Sequence, residues 1–496
     1  MARNITRRRA LGGLVAGIGT AASSGELPSS PWPRARPERA AEPERQAAEG
    51  DRRALEMVDA AGLSGTVSFA VYDTETRIPV ARHLGAFPTA PASTAKAVTA
   101  IYALDRLGGD YRFGTRLVAT GPVEAGILRG DLVLAGTGDP VFDSDDLAAL
   151  VEGLKRAGIT GIDGKFLIWD GHLPRVDRIV YGQPDIASYN PTISGMNLNF
   201  NRVHFEWKRE KSDYNITLQA RARQFRPAVR IATMDIVEER LPVFTYTAEK
   251  GLDRWTVARN ALGKGGARWL PVRRPLEYVG EAFQAIARFE GIDVPRAARA
   301  EAAPEGRVLA EHLSLPLERM LFGMLKFSTN LTAEVVGLHA SAAVGAMPVS
   351  LLGSAAAMNR WAAARFGVDG VRFVDHSGLG YGSRIGADHM AAILAGAAAE
   401  DRLRPLLKPV ALGADAGKVE VLAKTGTHNF VSALAGYLDA PGGRRLAFGV
   451  FCADPERRDA VPIARRERPT GARTYGRVAR RLQKDLLRHW ARSYAV

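Results

Sequence analysis

Three short polar motifs constrain this chain most, because they lie far apart in the sequence and can share chemistry only if the fold brings them together. Ser93-Thr94-Ala95-Lys96 follows Pro91, where a helix is predicted to begin and to continue without glycine or proline as far as Leu107. Ser328-Thr329-Asn330 falls between two segments with helical periodicity, and Lys424-Thr425-Gly426-Thr427 continues an alternating strand pattern. The three motifs together predict one site for nucleophilic catalysis.

The first motif supplies a nucleophile and a base. Ser93 and Lys96 are three residues apart, so one face of a helix presents both side chains. A serine hydroxyl is a weak nucleophile and needs a base within hydrogen-bond reach. A lysine can be that base if burial or a neighbouring cation keeps its amine neutral. We therefore predict that Ser93 attacks a carbonyl carbon, that Lys96 takes its proton, and that Lys424 is the neighbouring cation.

The second motif has a competitor in the sequence. Ser188-Tyr189-Asn190 has the same Ser-x-Asn pattern, but the proline that follows it favours extended backbone, and we interpret that copy as structural. Ser328-Thr329-Asn330 lies in a break between helices, where its side chains can turn into a cleft. We predict that Ser328 relays a proton to the leaving amine, and that Asn330 holds a substrate amide and orients Lys96.

The third motif lies on a predicted strand of an antiparallel sheet and suits substrate binding. The Lys424 ammonium and the hydroxyls of Thr425 and Thr427 are predicted to bind a substrate carboxylate, and Gly426 to leave room for substrate along the strand edge. The backbone N–H groups of Ser93 and Thr427 are predicted to form an oxyanion hole, in which each donor contributes about 3 kcal/mol.

With these motifs, the chain resembles the low-molecular-mass class C penicillin-binding proteins, the D-alanyl-D-alanine carboxypeptidase/endopeptidase family. The resemblance covers about residues 55–455. The segments that carry it are 91–96, 132–140, 328–330, 375–379 and 424–427. The chain departs from the family pattern at His376, at Gly380 and at His428, and we interpret both histidines as turn or rim residues.

The resemblance implies an α+β fold, in which a serine β-lactamase/transpeptidase-like domain, an antiparallel sheet flanked by helices, is interrupted by a large and mostly β insertion. It implies a serine D,D-carboxypeptidase that acts on peptidoglycan stem peptides through an acyl-enzyme and that binds penicillin and other β-lactams. Whether the enzyme is also a D,D-endopeptidase is left open.

The chain is predicted to divide into six segments. They are an export signal (1–22), a linker (23–50), the first part of the transpeptidase-like domain (51–120), a mostly β insertion of one or two subdomains (121–270), the second part of the domain (271–455), and a basic C-terminal segment with an amphipathic helix (456–496).

The N-terminus predicts the compartment. Thr6-Arg7-Arg8-Arg9 and the short apolar stretch after it resemble a twin-arginine export signal, so we expect an exported, periplasmic or otherwise extracytoplasmic protein. Residues 24–50 are rich in Pro, Ala, Arg and Glu, as in a linker without a core of its own.

Charge is concentrated at the other end of the chain. The net charge is +14, and residues 456–496 hold twelve Lys/Arg against four Asp/Glu. For an exported protein, anionic wall polymers or a membrane surface are the expected contacts of this segment, and the absence of any nucleic-acid-binding motif argues against nucleic acid. The C-terminal helix is expected either to pack on the sheet or to lie on a membrane.

The sequence predicts neither a metal nor a cofactor. Cys452 is the single cysteine, and the nine histidines show no ligand spacing. Two other functions remain open at this stage. A β-lactamase would share the motifs but need fast deacylation, and the wide gap between Ser93 and Ser328 argues against it. A non-catalytic wall-binding protein would keep the fold, and retention of every reactive group argues against that.

Overall fold

This computed structural model describes residues 51–494, apart from 250, 346, 414–418, 441 and 468. The predicted export signal and linker lie outside the described residues. Within the described range, none of the helices combines the length and the apolar character that a bilayer span needs.

The chain contains runs of helices and runs of strands. The helices are α1 (Arg52–Ala61), α2 (Ala95–Leu107), α3 (Ser144–Arg156), α4 (Pro275–Phe289), α5 (Leu317–Phe327), α6 (Asn330–Ala342), α7 (Leu351–Phe366), α8 (Ala387–Ala397), α9 (Pro455–Asp459) and α10 (Ala472–Ser493). The strands are β1 (Thr66–Asp73), β2 (Pro79–His83), β3 (Gly114–Ala119), β4 (Val123–Glu124), β5 (Ile127–Leu128), β6 (Leu132–Gly136), β7 (Gly161–Ile162), β8 (Phe166–Trp169), β9 (Arg202–Glu210), β10 (Asp213–Gln219), β11 (Ala232–Val237), β12 (Phe244–Glu249), β13 (Leu252–Ala258), β14 (Gly265–Pro271), β15 (Ala297–Arg299), β16 (Arg307–Leu313), β17 (Lys408–Pro409), β18 (Glu420–His428), β19 (Val431–Asp439) and β20 (Arg445–Ala453).

An antiparallel sheet with the order β17-β18-β19-β20-β1-β2 is the centre of the catalytic region. Both of its faces are covered, as the alternation along β1 shows. Ala70 and Tyr72 pack into a core that includes α2 and α5 to α8, whereas Phe69 and Val71 pack into a second core with α10. A sheet between two helical layers is the α+β arrangement that the family resemblance implies, and the structure confirms it.

Helix α10 packs on the sheet rather than presenting its apolar face to solvent. Leu482, Leu486 and Trp490 recur every four residues and are buried. The Trp490 ring lies 5.2 Å from that of Phe69, and its indole N–H donates to Asp51 at 2.8 Å. Of the two expectations for this helix, packing on the sheet is the one confirmed.

A separate core lies in the middle of the chain. The sheet β15-β8-β6-β3-β16 and three small three-stranded sheets pack there with α3 and α4. The buried residues of this core run from Leu117 to Val294. The domain boundaries at 121 and 270 stay predictions, and this core has members on both sides of them.

Two helices of the catalytic region were not predicted. Helices α7 and α8 are rich in alanine, and their apolar residues are spread around the helix instead of forming one stripe. Without an amphipathic period, the sequence gives no helix signal of the usual kind there.

Candidate active site

The backbone around Ser93 is held by close contacts with two glycines. A short 3₁₀ turn, Ala92–Thr94, carries the serine, so α2 itself begins at Ala95 rather than at Pro91. A Cβ added to Gly378 would lie 1.9 Å from the Ala92 carbonyl oxygen, and one added to Gly426 would lie 2.6 Å from that of Pro91. Only glycine at both positions lets the two neighbouring segments reach the serine turn.

Lys96 connects Ser93 to two other parts of the chain. Its Nζ lies 3.0 Å from Ser93 Oγ, 2.7 Å from Asn330 Oδ1 and 2.7 Å from the carbonyl oxygen of Ser377. The two carbonyl oxygens can only accept, so they take both N–H groups of a neutral amine. The remaining lone pair then faces the Ser93 hydroxyl, as a general base requires.

The surroundings of Lys96 favour that neutral form. Burial is the main cause that lowers its pKa, to about 7, and the positive charge of Lys424 lowers it further. The carboxylates of Glu334 and Asp375 act in the opposite direction. Burial also lowers the pKa of Lys424, to about 8, so at neutral pH Lys424 is mostly charged while a large fraction of Lys96 is neutral.

Two buried carboxyl groups hold the loop that supplies the Ser377 carbonyl. Glu334 accepts the backbone N–H groups of His376, at 3.0 Å, and Ser377, at 2.8 Å. Asp375 accepts the backbone N–H of Gly378 at 2.8 Å. Burial, and then the charge of Asp375, raises the pKa of Glu334. Sequence reasoning missed Glu334, although a carboxylate inside an otherwise apolar helix was a usable signal.

The two histidines that depart from the family pattern are structural. His376 is fully buried in the turn, so the alternative that it lies at the rim is wrong; its Nε2 lies 2.7 Å from Ser354 Oγ, and burial lowers its pKa to about 3. His428 lies in the cleft wall and donates Nε2–H to the Gly378 carbonyl at 2.8 Å, while burial lowers its pKa to about 4.

Ser328 and Asn330 lie in the helix break where they were predicted. Ser328 follows α5 with a left-handed backbone (φ +59°), and Asn330 is the first residue of α6. Asn330 Nδ2 donates to the Tyr189 carbonyl at 2.8 Å, which fixes the amide so that its Oδ1 faces Lys96. In the competing motif, Asn190 is fully buried and its side chain bonds both backbone polar groups of Val180, consistent with a structural role.

The strand motif borders the same cleft. Thr425 and Thr427 are exposed on β18, and Lys424 Nζ donates to the Thr425 carbonyl at 2.7 Å. The prediction that Gly426 leaves room for substrate along the strand edge is wrong. The space that a side chain would need there is occupied by Pro91 and Ala92.

A cleft of about 920 Å³ is lined by residues from all three motifs. Ser93, Ser328, Asn330 and Thr427 line it together. The rest of its lining includes Tyr189 of the competing motif and residues that the sequence did not single out: Gln183, Tyr381, Arg466, Arg473, Arg477 and Arg480. The C-terminal segment therefore forms one wall of the cleft that contains the serine.

Comparison with known proteins gives consistent results. A family model described as the D-Ala-D-Ala carboxypeptidase 3 (S13) family matches residues 56–467. A D-alanyl-D-alanine carboxypeptidase of Actinomadura sp. (strain R39) is 28% identical over 439 residues, which cover 78% of this chain and 78% of that protein. D-alanyl-D-alanine carboxypeptidase DacB of Haemophilus influenzae is 26% identical over 387 residues, covering 73% of this chain and 79% of that protein.

The fold is shared with a solved structure. The crystal structure of penicillin binding protein 4 (dacB) from Haemophilus influenzae matches with a TM-score of 0.69 at 21% identity, covering 88% of this chain and 99% of that one. A second structure of the same protein, complexed with a β-lactam, gives a TM-score of 0.67.

Proposed function

Because the chain belongs to the D-Ala-D-Ala carboxypeptidase 3 (S13) family, we propose that it is a serine D,D-carboxypeptidase that cleaves the terminal D-Ala-D-Ala bond of peptidoglycan stem peptides through an acyl-enzyme on Ser93. The family and the enzyme class predicted from the motifs are the ones found. The observation that carries the assignment of the nucleophile is the 3.0 Å contact between Ser93 Oγ and the buried amine of Lys96.

Acylation follows from the geometry. Neutral Lys96 takes the hydroxyl proton as Ser93 Oγ attacks the carbonyl carbon of the penultimate D-alanine. The oxyanion that forms is stabilised by the backbone N–H groups of Ser93 and Thr427. Ser328, which lines the same cleft, gives its hydroxyl proton to the departing amine and receives the proton held by Lys96, so free D-alanine leaves and Lys96 is neutral again. Water then attacks the ester, with Lys96 again as base, and the shortened peptide is released.

Substrate recognition uses the far side of the serine. The charged Lys424 and the hydroxyls of Thr425 and Thr427 bind the C-terminal carboxylate, because a cation with nearby hydroxyl donors suits that group. A penicillin carries a carboxylate next to its strained amide and is expected to acylate Ser93 in the same way. The Haemophilus influenzae relative was solved with a β-lactam, which supports this proposal for a chain of the same fold.

Export by a twin-arginine signal in residues 1–22 is part of the same proposal. It is supported by the arginine run at Arg7 to Arg9 and by the cell-wall substrate that the family implies. Comparing the N-terminus of the protein isolated from outside the cytoplasm with the encoded one tests it, and an intact Met1 in that fraction would contradict cleavage.

Product analysis on a defined stem pentapeptide tests the function. We expect free D-alanine from the unmodified protein, none from Ser93→Ala, and an unchanged rate from Ser188→Ala, which alters the serine of the competing motif. A cross-linked muropeptide dimer in parallel shows whether the cross-link is also cut. Continued D-alanine release by Ser93→Ala would contradict the nucleophile assignment, and rapid penicillin turnover without a stable adduct would favour a β-lactamase.

A further inference from the structure

One face of helix α10 is strongly basic and continuous with the catalytic cleft. We call it the arginine face and define it by Arg473, Arg477, Arg480, Arg481 and Lys484. The four arginines are exposed, and Lys484 is half-buried. Steps of three or four residues place these side chains on one side of the helix, over about 16 Å at 1.5 Å per residue.

The arginine face extends from inside the cleft to beyond it. Arg473, Arg477 and Arg480 line the cleft that contains Ser93. Arg477 and Arg480 also line a second concavity of about 510 Å³, together with Arg481, Lys484, Asp485 and Arg488. Because two arginines border both spaces, a linear ligand can pass from one to the other without leaving the basic surface.

Few of these charges are neutralised by the protein itself. Arg481 lies 3.9 Å from Asp485, which also pairs with Arg488. In the part of the chain that the structure describes, no carboxylate pairs with Arg473, Arg477 or Arg480. Arginines four apart on one helix repel each other, so this arrangement lowers the stability of the free helix. An anionic ligand would remove that repulsion.

The length of the arginine face and its row of guanidinium groups indicate the class of ligand. A membrane surface is disfavoured because the apolar face of α10 is already buried against the sheet. One carboxylate of a stem peptide would occupy only one position of a 16 Å row. A guanidinium pairs with two oxygens of a phosphate at once, and a chain with a phosphate in every repeat offers one partner after another.

We propose that the arginine face binds a linear polymer with phosphate groups along its backbone, and that the bound chain runs along α10 to the mouth of the catalytic cleft. The site would hold the enzyme on an anionic polymer next to its substrate. Binding at the arginine face does not depend on which residue is the nucleophile. This proposal can therefore fail while the proposed function stands, and the proposed function can fail while this proposal stands.

Direct binding of long-chain inorganic polyphosphate to the purified full chain tests the proposal. The triple variant R473Q/R477Q/R480Q is expected to bind about 10- to 100-fold more weakly at low salt, with a smaller dependence of affinity on salt concentration. The control R209Q/R240Q/R307Q removes the same charge from exposed sites outside α10 and is expected to bind within about twofold of the unmodified protein.

Thermal unfolding of both variants shows whether they fold. If the triple variant does not, Arg477→Gln alone is expected to weaken binding about threefold. Equal loss in the control would overturn the proposal, since net charge alone would then explain binding. Binding to poly-L-glutamate as tight as to polyphosphate would overturn the phosphate class. Binding only to vesicles of phosphatidylcholine and phosphatidylglycerol, or to none of these probes, would overturn the proposal that the arginine face is a polymer-binding site.

Discussion

The two sides of the catalytic cleft use cations in opposite ways. On the serine side, Lys96 is fully buried, touches three oxygen atoms and has a pKa lowered to about 7. On the C-terminal side, Arg473, Arg477 and Arg480 are exposed and keep their charge in solvent. Burial turns a cation into a base because it penalises the charged form, whereas exposure leaves a charge that acts on ligands at a distance.

Removing the Lys96 amine is expected to have the largest effect on the reaction. Lys96→Met keeps an unbranched side chain but removes the base, so acylation by a fluorescent penicillin is expected to slow about 10³- to 10⁴-fold. Lys165→Met, which removes an exposed lysine outside the cleft, is the matched control and should acylate at the unmodified rate. A loss of less than about tenfold in Lys96→Met would show that another group takes the proton.

The packing of α6 against the loop that contains His376 and Ser377 is expected to give the next largest effect, which is on the free energy of unfolding. A Cβ at Gly337 would lie 2.1 Å from the ring of His376, next to the loop that supplies the Ser377 carbonyl. We expect Gly337→Ala to lower the free energy of unfolding by about 1–3 kcal/mol. Gly323→Ala adds the same methyl group on α5 with no atom within 4 Å and should raise it by about 0.5–1 kcal/mol. Denaturant titration measures both, and equal effects would contradict this packing account.

Lys424 is a charged neighbour of the buried base, so its removal separates the effect of charge from the effect of burial on the pKa of Lys96. Lys424→Gln removes the positive charge that lowers the pKa of Lys96, so the rising limb of the pH–rate profile is expected to move to higher pH. Lys408→Gln removes an exposed lysine near Lys424 and is expected to leave that limb nearly in place. An unmoved limb in Lys424→Gln would mean that burial alone sets the pKa of Lys96.

The smallest effect on the free energy of unfolding is expected from a substitution among the exposed arginines of α10. Arg477→Gln should change the free energy of unfolding by less than about 0.5 kcal/mol, since the side chain is solvated and has like charges four residues away on both sides. Thermal unfolding at low and high salt measures it. A loss of more than about 1 kcal/mol would show that this arginine belongs to the packed structure and not to a ligand surface.

The sequence could predict which side chains meet at the candidate site because the proposed chemistry restricts the residue type. Ser93 and Lys96 need helical spacing, and Asn330 needs a helix break, so both signals are local. The alternating strand pattern that runs into Lys424 likewise placed the third motif on the sheet. Where the chemistry restricts the residue type and the local pattern is clear, the sequence alone is sufficient to place a residue on its helix, helix break or strand.

The rest of the site depends on contacts that the sequence does not record. The acceptor from Ser377 is a backbone carbonyl, which any residue would provide. Tyr189 contributes its carbonyl to Asn330 from the motif set aside as structural. The arginine face reaches the cleft only because α10 packs on the sheet, and the spacing of its charges along the helix does not indicate that the cleft is its neighbour.

The pH dependence of Ser93 acylation by penicillin tests the central claim, that Lys96 is a neutral base at physiological pH. Between about pH 5 and pH 10 the rate constant is expected to rise through a midpoint of about 7, because only the deprotonated amine can accept the proton. It should fall again above about 8, as Lys424 loses the charge that binds the carboxylate. A rate that is flat through pH 7, or that rises only near the ordinary lysine pKa of 10.5, would contradict the account.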